Sequence, residues 1–445
     1  MTPESPTLSR RGLFRLAAGA GGLALLAGLT GCAPRSTAPI ASGAVDLSFW
    51  THDDAYVKFF TEAVPLAEKA SPFAYDIHVT KAGAADIVTK LIAQAVAGTG
   101  TPDVVGLEIG AFSRTLRGNI APELLVDLSD AVAPFGDDLI AARRAPFSKD
   151  GKLYALDSDT PMTVYYHRAD EFERLGLPGT FETWDDFLAA GEKLAAAEGV
   201  SLGAIATSDP GGTVQTFHVH LLQRGADLFD ESGRATIDTP EAVETLTMLS
   251  AGVQSGAIAT VSDMYGPGMQ SGLKSGKILG VNMPSWYSTY GIQPSAPEQA
   301  GAWRIAPLPR FASGGGRTGA GGGTGFAALR NKPATEAGVQ LITSTYLDKE
   351  QQVSRYKAMG YLPTLRSVYE SQELIALEDE FFGGQRLFEV YRDIIDEAPA
   401  VHQSENKPIM DTVLSGHLLR AYRGQVSPAE ALADAAHDFR GQARG

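Results

Sequence analysis

Asp157 and Asp159 stand two residues apart. On an extended segment both carboxyls would point to one side, roughly 6 to 7 Å apart, close to the spacing of the acid pairs in glycosidases. Acid catalysis on a glycoside is therefore one chemistry the chain could carry. Metal chemistry has weaker support. His218-Val219-His220 supplies two imidazoles, but the sequence sets no third ligand nearby and contains no His-Glu-x-x-His. Those histidines read as surface or core residues, and no metal or other cofactor is expected. Two glycine patterns imitate phosphate sites and fail on context. Gly314-Gly315-Gly316-Arg317-Thr318-Gly319 has dinucleotide spacing with no helix after it, and Gly272-Leu273-Lys274-Ser275-Gly276-Lys277 is followed by Ile278 where a Ser or Thr is needed. No Gly-x-Ser-x-Gly nucleophile elbow occurs.

The elements that must position such residues alternate in type. Val45, Leu47 and Phe49, then Phe73, Tyr75, Ile77 and Val79, interleave with polar residues as half-buried strands do. Between them Asp54 to Lys69 carries Phe59, Phe60, Ala63, Val64 and Ala67 at helical spacing, with Pro65 expected to kink or interrupt the helix. Asp86 is expected to cap a second helix that Gly98 stops, before Pro102-Asp103-Val104-Val105-Gly106-Leu107 opens another strand. This β-α-β-α-β order predicts an open α/β sheet, and such sheets bind ligands at the carboxyl ends of their strands. Two loops are thereby singled out, Trp50-Thr51-His52-Asp53-Asp54 and Glu108-Ile109-Gly110. Further on, Thr183-Trp184-Asp185-Asp186, Thr239-Pro240 and Ser427-Pro428-Ala429-Glu430 read as helix starts, the last opening a C-terminal helix.

Residues 1–31 divide into a basic stretch with Arg10, Arg11 and Arg15, an uncharged apolar run from Leu16 to Leu29, and Thr30-Gly31 ahead of Cys32. That is a signal peptide's layout, and its apolar run of about 14 residues is short of the roughly 20 a permanent span needs. Ser9-Arg10-Arg11-Gly12-Leu13-Phe14 resembles the twin-arginine export signal. Leu29-Thr30-Gly31-Cys32 resembles the lipobox, whose cysteine is acylated and becomes the new N-terminus. Cys32 is the only cysteine in the chain, so no internal disulfide accounts for it. A lipid anchor there would hold the protein on the outer face of the cytoplasmic membrane, with residues 32–43, rich in small and polar types, as a flexible tether. Removing residues 1–31 takes away three arginines and Glu4, so the formal net charge passes from −15 to −17. Such a charge argues against nucleic acid as a partner. Roughly 400 residues remain, enough for two domains.

A series of short motifs then runs along the chain. It includes Phe49-Trp50, Pro102-Asp103-Val104-Val105, Gly151-Lys152-Leu153-Tyr154-Ala155-Leu156, Thr183-Trp184-Asp185-Asp186-Phe187, Ser285-Trp286-Tyr287, Gly321-Gly322-Gly323-Thr324-Gly325 and Gly360-Tyr361-Leu362-Pro363-Thr364. In number and order these resemble the extracellular solute-binding proteins of ABC importers, specifically the carbohydrate-binding family of maltodextrin- and multiple-sugar-binding lipoproteins. Asp157 departs from the proline that family usually has, and Ser275-Gly276-Lys277-Ile278 is all that survives of its Phe-x-x-Gly-Lys-Ala-Ala-Met segment. The resemblance implies a type II periplasmic-binding-protein-like α/β fold with two hinged lobes, each an open sheet. One lobe would be 44–158 plus 318–368 and the other 159–317 plus 369–445. It further implies a monomeric receptor, not an enzyme, that closes on a carbohydrate and delivers it to the ABC permease. The rivals are a receptor of the same fold for a non-sugar solute, such as a polyamine or glycerol phosphate, and more distantly a secreted carbohydrate-active enzyme.

A sugar has an apolar C–H face and a rim of hydroxyls, so its site needs aromatic planes and carboxylates or amides. Under the resemblance, Trp286, Tyr287 and Tyr290 form an aromatic shelf between Pro284 and Gly291. Trp50, at the end of the first strand, either stacks on ligand or packs into the core, while Trp184 and Trp303 pack. His52, Asp53 and Asp54 lie at that strand's exit, where Asp54 either holds ligand or only caps the following helix. Glu108 either reaches the cleft or occupies a solvated turn. Asp157 and Asp159, at the proposed lobe crossover, offer at least one acceptor. Gly322, Gly323 and Thr324 bring backbone N–H groups close to ligand. Lipidation is the first expectation open to test: the exported protein partitions into the detergent phase on Triton X-114 separation, and Cys32→Ala moves it to the aqueous phase.

Overall fold

The alternating segments become parallel neighbours. In the computed structural model, which describes residues 38–443, β1 (Gly43–Thr51) and β2 (Phe73–Lys81) pair in register from Gly43 beside Phe73 to Thr51 beside Lys81. α1 (Asp54–Ala70) joins them and buries Tyr56, Phe59, Phe60, Ala63 and Ala67 along one face. Pro65 sits inside α1 without interrupting its 17 residues. A proline costs a helix interior about 3 kcal/mol; burying one large apolar side chain returns about 1.5–3 kcal/mol, and α1 buries two phenylalanines. α2 (Ala84–Ala97) starts at Gly83, which has no side-chain cap; Asp86 stands within its first turn instead of capping it, and Gly98 closes the helix in the left-handed conformation. At that position the Asp86 carboxylate still meets the positive end of the helix. β3 (Val104–Glu108) follows, parallel to β1.

The same sheet is completed by chain from far along the sequence. With β4 (Leu156–Asp157), β5 (Thr163–Arg168), β6 (Gly203–Ala206), β7 (Ile258–Val261), β8 (Gly280–Pro284), β9 (Trp303–Ala306) and β10 (Thr324–Ala328), its order is β2-β1-β3-β10-β4. β10 runs antiparallel to both its neighbours. Its Phe326 centres an aromatic cluster with Phe49, Phe60, Tyr56 and Tyr346, ring centroids 5.0 to 5.8 Å away. Gly106 makes room for it: a Cβ there would lie 2.8 Å from the Phe326 ring. A second sheet has the order β8-β5-β9, all antiparallel, and β6 pairs with β7 in parallel. The longer helices that follow are α3 (Trp184–Glu198), α4 (Pro210–Arg224), α5 (Pro240–Ser255), α6 (Thr335–Tyr346), α7 (Lys349–Met359), α8 (Lys407–Tyr422) and α9 (Pro428–Gln442). Thr183, Thr239 and Ser427 accept N–H groups at the starts of α3, α5 and α9 as their sequence predicts. Trp184 and Phe187 of α3 join Phe217, Leu246, Leu414 and Leu432 in one core.

Two segments connect the two sheets, and a third, 361–364, lies beside the first of them. Thr163 N donates to Gly319 O (2.9 Å), Gly321 N to Pro161 O (3.2 Å) and Ser158 N to Thr324 O (2.8 Å). Thr160 N bonds Leu362 O (3.1 Å) and its hydroxyl Pro363 O (2.7 Å). The expected signal peptide, Cys32 and the first part of the tether lie outside the described residues. Of the tether's remainder, Ile40 is half-buried and donates to Pro333 O at 2.8 Å, and β1 has already begun at Gly43. No helix among the described residues is long and apolar enough to cross a membrane.

Asp227 ties α4 to two later segments. It accepts from His218 Nε2 (2.6 Å) and, through its other oxygen, from His402 N (2.7 Å), with His402 Nδ1 at 3.3 Å. Burial alone would raise this carboxyl, but His218 and His402 hold it down to about 2. The hydrogen bond to Asp227 in turn lifts His402 above its usual 6.5. The carboxylate's contribution to stability is present above 3.8 and lost as pH falls towards 2, while that of His402 is full below 6.5 and lost as pH rises through its raised value. The stability difference between the protein and Asp227→Asn is therefore expected to peak near pH 5 and shrink on both sides, as urea unfolding across pH will show.

Candidate functional site

The strand ends of the first sheet open onto a cavity of about 360 Å³. At the exit of β1, His52 and Asp53 line it. Asp53 is the N-cap of α1, its Oδ1 accepting Ala55 N at 2.8 Å. The His52 ring is half-buried with no hydrogen-bond partner for Nδ1, and burial lowers its pKa against the opposing pull of Asp53. At the exit of β3, Glu108 lines the cavity while its Oε2 accepts Gly110 N (2.8 Å) and Ala111 N (3.2 Å), capping a four-residue helical turn. Burial raises the Glu108 carboxyl, and those two N–H groups oppose the rise. Beyond β4 comes Asp159, 1% exposed. Ser158 Oγ donates to its Oδ1 at 2.7 Å, and its Oδ2 has no partner in the protein. Gly322, Gly323 and Thr324, leading into β10, complete this wall.

The opposite wall is aromatic. Trp286 follows β8, donates Nε1–H to Gly321 O at 3.3 Å, and stacks on Tyr265 with centroids 6.4 Å apart and planes 15° from parallel. Tyr290 and Tyr361 share a hydroxyl–hydroxyl hydrogen bond of 2.9 Å, and Tyr56 reaches Ser158 Oγ at 3.1 Å. Burial raises all four tyrosines, so each hydroxyl remains a protonated donor. Gln215 of α4 adds an amide. A second cavity of about 220 Å³ adjoins, sharing Glu108, Gln215 and Gly322 with the first and reaching His218, Gln403 and Lys407.

Four residues expected at the ligand stand elsewhere. Trp50 is 6% exposed in the core, with Lys90 Nζ 4.3 Å from its ring centroid. Asp54 points to solvent and pairs with Lys81 at 2.6 Å, because the helix cap is Asp53. Asp157 ends β4 and turns to Arg143, its Oδ2 2.5 Å from Nη2, so the two acids read as a pair are divided between an ion pair and the cavity. Tyr287 is fully buried and donates to Met264 O. The cavity also takes four residues that sequence reasoning missed. Tyr361 lies in the Gly360-Tyr361-Leu362-Pro363-Thr364 motif, and Tyr265 opens a Gly-Pro-Gly loop, so each carried a signal. Tyr56 and Gln215 sit within helices and carried none. Of the two histidines of His218-Val219-His220, the first pairs with Asp227 and the second bonds Thr216 O.

A sequence profile of the bacterial extracellular solute-binding proteins matches residues 55–381. The chain belongs to this family. Among its relatives, the arabinooligosaccharide-binding protein of Bacillus subtilis (strain 168) is 27% identical over 424 residues, covering 93% of this chain and 95% of that protein. The lactose-binding protein of Rhizobium radiobacter is 25% identical, covering 62% and 64%. In solved structures, the chain is similar to the cyclic alpha-maltosyl-1,6-maltose binding protein from Arthrobacter globiformis (TM-score 0.73, 21% identity, 90% of this chain and 99% of that one). It is likewise similar to the galacto-N-biose-/lacto-N-biose I-binding protein of Bifidobacterium longum (TM-score 0.72, 18% identity, 90% and 97%). These likenesses show the type II solute-binding fold, in which the family's members are binding proteins.

Gly323 is where this family member's cavity wall tolerates least change. Its φ is +118°, and a Cβ there would lie 2.9 Å from Arg143 Nη2 and 3.1 Å from Asp157 Oδ1. Gly323→Ala is expected to cost about 1–3 kcal/mol, read as a lower urea midpoint with an unchanged slope.

Proposed function

We propose that this protein is the substrate-binding component of an ABC importer and takes an uncharged sugar, mono- or oligosaccharide, into the cavity between its two sheets. One observation carries the reading: the stacked Trp286 and Tyr265 rings share a cavity with Asp159, whose buried Oδ2 has no partner in the protein. A sugar ring supplies what both lack, a C–H face for the indole and a hydroxyl for the carboxylate. Charge narrows the choice further. Asp53, Glu108 and Asp159 line the cavity with no lysine or arginine among its lining residues, an arrangement that repels a phosphorylated solute. The same three acids favour one rival, a cationic solute such as a polyamine. The relatives named for arabinooligosaccharides and lactose support the sugar, and the adjoining second cavity suits more than one sugar unit.

Two lobes, 44–158 plus 318–368 and 159–317 plus 369–445, would close on the ligand about the segments at 158–163, 318–324 and 361–364. Their mutual hydrogen bonds support a hinge there. The permease would recognise the closed form, so that binding and delivery are one motion. Lipidation at Cys32 would keep the receptor beside that permease. A thermal-shift panel of arabino-, galacto- and gluco-oligosaccharides, monosaccharides and spermidine tests the solute class, since a ligand of the native state raises its melting temperature. The expected result is stabilisation by a sugar and none by spermidine, with Trp286→Ala weakening that sugar more than tenfold by calorimetry. Unchanged affinity in Trp286→Ala overturns the site, and stabilisation by spermidine alone overturns the sugar.

A further inference from the structure

Arg143 stands outside the cavity yet meets both backbone segments that enter it. It ends a one-turn helix, Ala141–Arg143, and is 2% exposed. Its Nε donates to the carbonyl of Asp159 at 3.1 Å, and its Nη2 lies 2.5 Å from Asp157 Oδ2. On the other segment, the 2.9 Å from Nη2 to a notional Cβ at Gly323 shows that this backbone lies directly against the guanidinium. One side chain is thus bonded to the segment 157–159 and packs against the backbone of Gly323.

Stability is a poor reason for such a pair. Taking two charges out of water costs about as much as their attraction returns, and apolar replacement of a buried pair is often neutral or stabilising. Here burial pushes the Asp157 carboxyl up to about 7 even with Arg143 beside it. What the guanidinium supplies is direction, because its donors are fixed in a planar fork that an ammonium lacks. Nε and Nη2 of the fork both reach the segment 157–159, and that segment is paired to β10 through Asp157 and Gly325.

We propose that Arg143 is a positioning residue for ligand binding, its fork holding Asp159 and the Gly322–Thr324 strap in register through the Asp159 carbonyl and the Asp157 carboxylate. The inference rests on the reading of Asp159 as a ligand acceptor. Trp286 reports on it, since its indole N–H bonds Gly321 at the head of the strap.

The test uses the full chain in detergent, with arabinotriose, maltose, lactose and spermidine as probes. Arg143→Lys keeps the charge and removes the fork; Arg143→Met with Asp157→Leu removes both charges of the pair and leaves Asp159 and Arg355 as the buried charges facing each other. The double variant is expected to unfold in urea near the wild-type midpoint. Both variants are expected to bind the probe that the wild type binds best at least tenfold more weakly, with a smaller change in tryptophan fluorescence on binding. Wild-type affinity in either variant overturns the positioning role while leaving the sugar reading intact. Unchanged affinity in Asp159→Asn, or no binding of any probe by the wild type, overturns the reading of the cavity itself and this inference with it.

Discussion

A backbone that leaves one sheet for another carries N–H and C=O groups that must find partners once buried. In this chain the departing segments find each other. Ser158, Pro161 and Thr163 bond Thr324, Gly321 and Gly319, and Thr160 bonds Leu362 and Pro363. Part of the site hangs on that pairing, because these segments also carry Asp159, the glycine strap and Tyr361. Asp159 follows β4, the Gly322–Thr324 strap leads into β10, and Tyr361 adjoins Leu362, whose carbonyl accepts Thr160 N. The same hydrogen bonds that satisfy the buried backbone therefore fix the distances between residues as far apart in sequence as 159 and 361.

Local patterns in the sequence were legible to the extent that their causes are local. Strands β1 and β2 follow from alternation, the starts of α3, α5 and α9 from capping residues, and the position of Glu108 from the rule that ligands meet strand ends. His52 and Asp53 follow from the same rule, and Trp286, Tyr290 and the glycine strap from what a sugar site needs; all of them line the cavity. Where neighbouring residues compete for one role, spacing does not choose between them. Asp53 took the cap and a place in the cavity while Asp54 turned to Lys81; Asp159 faced the cavity while Asp157 turned to Arg143. Those outcomes depend on Lys81 and Arg143, which no motif connects to the acids. Pro65 shows the same limit in a helix, where packing of Phe59 and Phe60 outweighs one lost hydrogen bond.

The aromatic and acidic walls differ in how they hold their places. Trp286 stacks on Tyr265 and Tyr290 on Tyr361, the latter two sharing a hydroxyl–hydroxyl hydrogen bond, while the indole N–H of Trp286 is tied to the Gly321 carbonyl. The acids instead lean on the main chain or on a neighbouring hydroxyl. A solute entering between them would meet apolar planes on one side and acceptors on the other, and its orientation would follow from that asymmetry.

Asp53 and Glu108 have double duties. Each line of the cavity that they provide is also the first turn of a helix, and each gives one oxygen to backbone N–H groups. Their rotamers are consequently chosen when the chain folds, long before a solute arrives. A free surface carboxylate would surrender that rotational freedom at the moment of binding, at about 0.5–1.5 kcal/mol for each side chain immobilised. These two have none left to lose, and a hydroxyl that reaches them finds an acceptor already aimed.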